Sequence, residues 1–336
     1  MKRFLIYLIL SVLVMSIIEV APAQAGLSGK KDLSQNSEVQ YVQKSEKEIK
    51  NILLKQVELS NKQDWETMQS YYAPDYRNSD AFDKNTTFAI IRENYTIYDD
   101  LKISLKINSI DVKGKFAVAD VNEFATKDNL KRDDIEYKGK LNAKARTVYY
   151  FENINGKWLI TSEYSVYENN IITFGETDYS GVVLEIPMSV PAGEQYTATL
   201  KIDNLPNTAV VMGSITKSDA IYPIPVEDDS DDSYRIFEDT KLERILYANK
   251  DNINEYVSGT LGITRSKPLP NGDFKLYLSG LALVMGKVNV IPQNNRYTPY
   301  QTNETETSEK FLKTNIEPDD ILPDDNYVKE RESVDD

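Results

Sequence analysis

The spacing of apolar positions divides the chain into a helical opening and a long β-rich remainder. Ile49, Ile52, Leu53 and Val57 recur every three or four residues, which predicts a helix with one apolar stripe over about 40–62. Asn61-Lys62-Gln63 interrupts it, and Asp64 can cap a second helix carrying Trp65, Met68, Tyr71 and Tyr72. Pro74 ends that helix, because the residue before a proline is pushed out of the α region. A third helix is expected over about 86–98, with Phe88, Ile91 and Tyr95 on one face. Alternation then takes over. Ile103, Leu105 and Ile107 keep a period of two, and the phase slips to Ile110 and Val112, as one extra residue near Asn108-Ser109 would make it do. Lys113-Gly114 turns the chain into a strand over 115–126, and a polar link over about 127–137 leads to a strand over 141–151. Asn155-Gly156 is a strong two-residue hairpin signal before a strand over 157–167.

Past Phe174-Gly175 the pattern becomes strand and turn. Strands are expected over 182–188, 194–202, 209–216, 256–264 and 274–290, with turns at Pro191-Ala192-Gly193 and Pro268-Leu269-Pro270-Asn271-Gly272-Asp273. The segment 241–249 reads as a short helix, through Leu242, Ile245 and Leu246, or as a strand. Short strands at this spacing suggest a β-sandwich. The expected organisation is therefore a flexible lead over 26–39, an α+β unit over 40–170, a sandwich-like unit over 177–292 and an acidic tail over 293–336. That tail has too little apolar surface to offset the entropy of ordering, so it is expected to be disordered.

The Asp64-Trp65 linker between two helices, followed by Tyr71-Tyr72-Ala73-Pro74-Asp75-Tyr76, resembles the opening of the nuclear transport factor 2-like superfamily. Tyr149-Tyr150-Phe151 through Asn155-Gly156-Lys157-Trp158-Leu159-Ile160 is similar to its closing hairpin. That superfamily includes polyketide cyclase and ketosteroid isomerase-type enzymes, and the resemblance covers about residues 40–170 only. It implies a cone, with helices packed on a curved antiparallel sheet around an apolar cavity, and often a homodimer through the open sheet face. The later unit resembles no family.

A cavity takes its function from the groups that line it. Polar residues falling in an apolar strand phase are the candidates, since residues two apart share a face. Asp120 continues the phase of Phe116 and Val118. Thr147 and Tyr149 share one with Ala143, Ala145 and Phe151. Ser162 and Tyr164 follow Trp158 and Ile160, and the loop after the second helix adds Tyr72, Asp75 and Tyr76. Arg146 falls in the opposite phase from Thr147 and is expected to be solvated or interfacial. The expected ligand-binding set is Tyr72, Tyr76, Asp120, Thr147, Tyr149, Ser162 and Tyr164. A buried Asp has a raised pKa and can act as a general base, with a tyrosine hydroxyl as oxyanion donor. An isomerase or cyclase of this kind would use Asp120 or Asp75 with Tyr149. No pair of carboxylates stands at a catalytic spacing, so the preferred expectation is a non-enzymatic protein. Its cone would hold a small apolar ligand or a protein partner. A third reading is an assembly protein whose cavity is filled.

Composition narrows the chemistry. The 336 residues include no Cys and no His, which excludes disulfides, Cys- or His-ligated zinc and every imidazole base. No cofactor or metal is expected. Acidic residues outnumber basic ones 53 to 39, for a formal charge of −14, and no basic patch stands out to bind nucleic acid. The run Glu227-Asp228-Asp229-Ser230-Asp231-Asp232 lacks the glycine that a calcium loop needs at its sharp turn, and reads as a solvated loop. Lys2-Arg3, the apolar run from Phe4 to Ile18 and Ala23-Gln24-Ala25 read as a signal peptide over 1–25, cleaved before Gly26. That run is shorter than the roughly 20 residues a membrane-spanning helix needs, so a soluble exported chain with no lasting anchor is expected, periplasmic or extracellular.

Overall fold

The computed structural model describes residues 33–132, 135–223 and 234–293. The expected signal peptide, the first half of the lead, the acidic run at 227–232 and the tail from 294 lie outside the described residues. Helix α1 (Leu33–Asn61) begins earlier than its apolar stripe, so residues 33–39, expected to belong to the lead, are helical. Ile49, Leu53 and Val57 on that stripe are buried. The end of α1 is clamped to the sheet: Asn61 Nδ2 donates to the Ile103 carbonyl at 3.2 Å, and the Ile103 amide donates back to Asn61 Oδ1 at 3.0 Å. Asp64 caps α2 (Trp65–Gln69) by accepting the Thr67 amide, and Asp83 caps α3 (Lys84–Ile97) by accepting that of Thr86. Helix α2 stops short of Tyr71 and Tyr72, which were expected on it, and Tyr72–Asn78 forms strand β1 where a helix end and a loop were expected.

Four long strands follow: β2 (Lys102–Lys113), β3 (Phe116–Arg132), β4 (Ile135–Ile154) and β5 (Lys157–Gly175). The polar link expected over 127–137 is instead mostly strand, because β3 and β4 continue pairing as far as Arg132 and Ile135. The β2–β3 pairing slips between Ile107 and Ser109, at the predicted bulge. Asn155 and Gly156 take φ of 53° and 83°, the left-handed pair that a tight hairpin requires. Residues of α1 and α3 share one buried core with the inner rows of these strands.

The later strands, expected as a sandwich-like unit over 177–292, share a sheet with the first unit. They are β6 (Val183–Glu185), β7 (Ser189–Pro191), β8 (Gln195–Lys201), β9 (Val210–Asp219), β10 (Arg235–Ile236), β11 (Lys241–Tyr247), β12 (Glu255–Pro268) and β13 (Phe274–Ile291). The segment read as helix or strand at 241–249 is thus β11. Strand β13 pairs antiparallel with β5 from Gly280↔Gly175 to Gly286↔Asn169, so the cone's sheet runs on without a break. Among the described residues its order is β10-β9-β12-β13-β5-β4-β3-β2, with β1 parallel to β5 and β7 parallel to β13. A three-stranded sheet, β11-β8-β6, packs on the far part through Leu200, Val211, Val257 and Leu261. Gly175 takes a positive φ where β5 ends, and a Cβ there would run into the Ser279 carbonyl. Tyr256, Leu281 and Met285 join the core of the cone itself.

Candidate functional site

The inner face of the cone is set by strand phase. The buried row of β3 includes Ala117, Ala119, Val121, Glu123 and Ala125, and that of β4 includes Ala143, Ala145, Thr147, Tyr149 and Phe151. Glu123 is therefore a carboxylate in an alanine-and-valine row, with no exposed surface. It accepts hydrogen bonds from Thr147 Oγ1 and from the Tyr149 hydroxyl, each at 2.6 Å. Burial pushes its carboxyl up to about 8, although the two hydroxyls oppose the rise. Tyr72 and Tyr76 also face inward. Their rings meet edge to face at 4.9 Å, and Tyr72 meets Phe88 at 5.1 Å.

The other expected residues lie elsewhere. Asp120 is on the outer face, one residue out of phase with Val121. It accepts from Arg146 Nη2 at 2.7 Å and from Asn108 Nδ2 at 3.1 Å. Partial burial raises its carboxyl, but the bonds from Arg146 and Asn108 outweigh this and hold it below the usual range. Asp75 is exposed on β1. Ser162 and Tyr164 are displaced by a bulge: Phe151 pairs with Ile160 but Tyr150 pairs with Ser162, so Thr161 is the extra residue. Beyond it the phase inverts, Tyr164 is exposed, and Glu163 and Ser165 point inward. The expected set is thus divided, with Tyr72, Tyr76, Thr147 and Tyr149 inside and Asp75, Asp120, Ser162 and Tyr164 outside.

Sequence reading missed the inner charges. For Glu123 a signal existed, since it continues the row of Ala117, Ala119 and Val121. Glu163 depends on the bulge, and burial pushes its carboxyl up to about 7 against the pull of Tyr76 and Lys287. Glu163 Oε2 and the Tyr76 hydroxyl interact without making a hydrogen bond of ordinary geometry. Next to them Lys287 reaches in from β13, with its side chain 1% exposed, and pairs with Asp80 at 2.8 Å and Glu168 at 3.5 Å. Burial raises the Glu168 carboxyl. For Lys287 burial works the other way, and Asp80 and Glu168 outweigh it to keep the ammonium charged.

Little space is left. A cavity of about 10 Å³ is lined by Asn78, Asp80, Thr147, Glu163, Glu168 and Lys287, and a second of about 10 Å³ lies among Tyr98, Leu130, Ile172, Phe174 and Leu283. Either has room for about one water molecule. Among the described residues, no group of three or more acids is placed to hold a metal ion, and no helix is long and apolar enough to cross a membrane.

No protein-family model and no curated protein matches the chain. Several solved structures match part of it. A nuclear transport factor 2-like protein with a cystatin-like fold from Novosphingobium aromaticivorans is 14% identical, over 41% of this chain and 90% of that one, with a TM-score of 0.34. Proteins of unknown function described as nuclear transport factor 2-like, from Pseudomonas putida KT2440 and Shewanella oneidensis MR-1, are 15% and 19% identical. They match 37% and 35% of this chain and 86% and 96% of their own, each with a TM-score of 0.28. At such scores these likenesses carry nothing about activity.

Proposed function

We propose that this chain is an exported, non-catalytic interaction protein that works through its surfaces, with the cone serving as a filled scaffold. The observation that carries the reading is the size of the cavity beside the inner row: lined by Thr147, Glu163 and Lys287, it holds about 10 Å³, against the roughly 300 Å³ or more of a small-molecule pocket. Tyr72, Tyr76, Phe88 and Tyr149 occupy the hollow that a ligand would need. The isomerase reading loses its bases, because Asp75 faces water and Asp120 is bound to Arg146. Glu123 has a suitable raised pKa but no exposed surface through which a substrate could reach it.

A surface suited to a protein partner is the end of the β12–β13 hairpin. Pairing with β9 stops at Thr264 and pairing with β5 stops at Gly280, so residues 265–277 extend as a two-stranded ribbon. Phe274 and Leu276 lie on one face of it, 68% and 69% exposed. In this reading β11-β8-β6 and the β9-β12-β13 layer make a small sandwich that presents the ribbon. Native mass spectrometry of the chain purified from its own host is the test. The expected species are the chain alone or bound to protein, with complexes lost in a Phe274→Ser, Leu276→Ser double variant. A small molecule retained by the cone would overturn the reading.

A further inference from the structure

Lys287, Asp80 and Glu168 come from three elements: β13, the loop after β1, and β5. Lys287 Nζ donates to Asp80 Oδ2 at 2.8 Å and to Ser79 Oγ at 3.3 Å, and lies 3.5 Å from Glu168 Oε1. The other oxygen of Asp80, Oδ1, accepts from Asn254 Nδ2 at 2.7 Å. Asn254 is itself oriented, because its Oδ1 accepts the Val290 amide at 2.9 Å. The Asp80 carboxylate is therefore gripped by an amine on one oxygen and an amide donor on the other. The side chains of Lys287, Asp80 and Glu168 are all within 3% of full burial, and the cavity of about 10 Å³ adjoins all three.

We propose that Lys287 and Asp80 join in an intramolecular isopeptide bond, a covalent seam between the cone and the later strands. The ammonium–carboxylate pair already holds every atom of the products, one amide and one water. A proton passes from Nζ to Oδ2 along their hydrogen bond. The amine lone pair then attacks Cγ, the Nζ–Cγ bond forms, and negative charge gathers on Oδ1, where Asn254 donates. Nζ gives up a second proton, relayed by Glu168 to the Oδ2 hydroxyl. The Cγ–Oδ2 bond breaks, the Oδ1 charge returns to a carbonyl, and water leaves into the adjoining cavity, which fits one molecule. No oxidant, nucleotide or other reactant takes part. Two effects favour the step. The reacting groups are fixed in contact, and a neutral amide replaces a charged pair that is costly to bury. Burial also keeps a proton on Glu168 for the relay. A chain without cysteine has no disulfide to tie its ends together, and a bond between residues 80 and 287 would close a long loop.

The test is peptide mapping of the full chain by mass spectrometry after denaturation and proteolysis. The expected result is one branched species joining the Asp80 and Lys287 peptides, lighter by one water than their sum. Asp80→Ala should abolish it. Asp80→Asn should still form it, with loss of ammonia in place of water. Glu168→Gln and Asn254→Ala should each lower the linked fraction at least tenfold at a fixed time. Separate Asp80 and Lys287 peptides at full mass, from wild-type protein held folded at neutral pH, would overturn the proposal. That readout is taken on the wild-type chain, so a variant that misfolds does not affect it. An undiminished link in Glu168→Gln would remove Glu168 from the mechanism. Neither result bears on whether the cone holds a ligand.

Discussion

The interior of the cone and the seam beside β13 both bury carboxylates, and they accommodate them in opposite ways. Glu123 meets only hydroxyls, from Thr147 and Tyr149, and burial raises its carboxyl until it holds a proton near neutral pH. At the seam, Asp80 and Glu168 share the ammonium of Lys287. A nearby cation opposes the desolvation that raises a buried acid, but at Glu168 it does not cancel it, and burial still raises that carboxyl.

Removing the cation should break that contrast most severely. Lys287→Met leaves two buried acids without their cation and should cost about 3–5 kcal/mol, read from denaturant unfolding. Exchanging Glu123 for Gln should be far milder at neutral pH, about 1 kcal/mol, because the amide resembles the neutral acid it replaces. Its larger effect should be on pH dependence. The folded state binds the Glu123 proton more tightly than the unfolded state, so this stabilisation is complete below about pH 4.5 and is lost as pH rises through about 8. Glu163, raised to about 7, acts in the same direction. Wild-type stability should fall across that window, and the Glu123→Gln curve should be flatter; parallel curves would mean that Glu123 is ionised in the fold. Asp120→Asn should be the least costly. Its pair with Arg146 lies on the partly exposed outer face and should contribute about 1 kcal/mol or less, declining further in high salt. A loss equal to that of Lys287→Met would erase the distinction between inner and outer charges.

Local signals read well where a single element supplied them. The stripe of Ile49, Leu53 and Val57, the cap at Asp64, the slip at Asn108-Ser109 and the turn at Asn155-Gly156 each depend on a few neighbouring residues. The candidate site was legible on β4, where Thr147 and Tyr149 follow an unbroken alternation. It was misread on β5 because nothing near Thr161 marks an extra residue, and one such residue turns Ser162 and Tyr164 outward and Glu163 inward. On β3 the wrong phase was chosen: the small residues Ala117, Ala119 and Ala125 mark the inner row, while the larger Phe116 and Val118 drew the assignment outward.

By itself, then, the sequence determined where the chain becomes helix or strand, where it turns, and which chemistries it lacks for want of cysteine and histidine. The tertiary structure decided that β13 would prolong the cone's sheet beside β5, and so which acids Lys287 would meet. The physical reason is range. Helix stripes and turn residues act over a few positions, whereas the place of β13 is fixed by pairing with residues more than a hundred positions away.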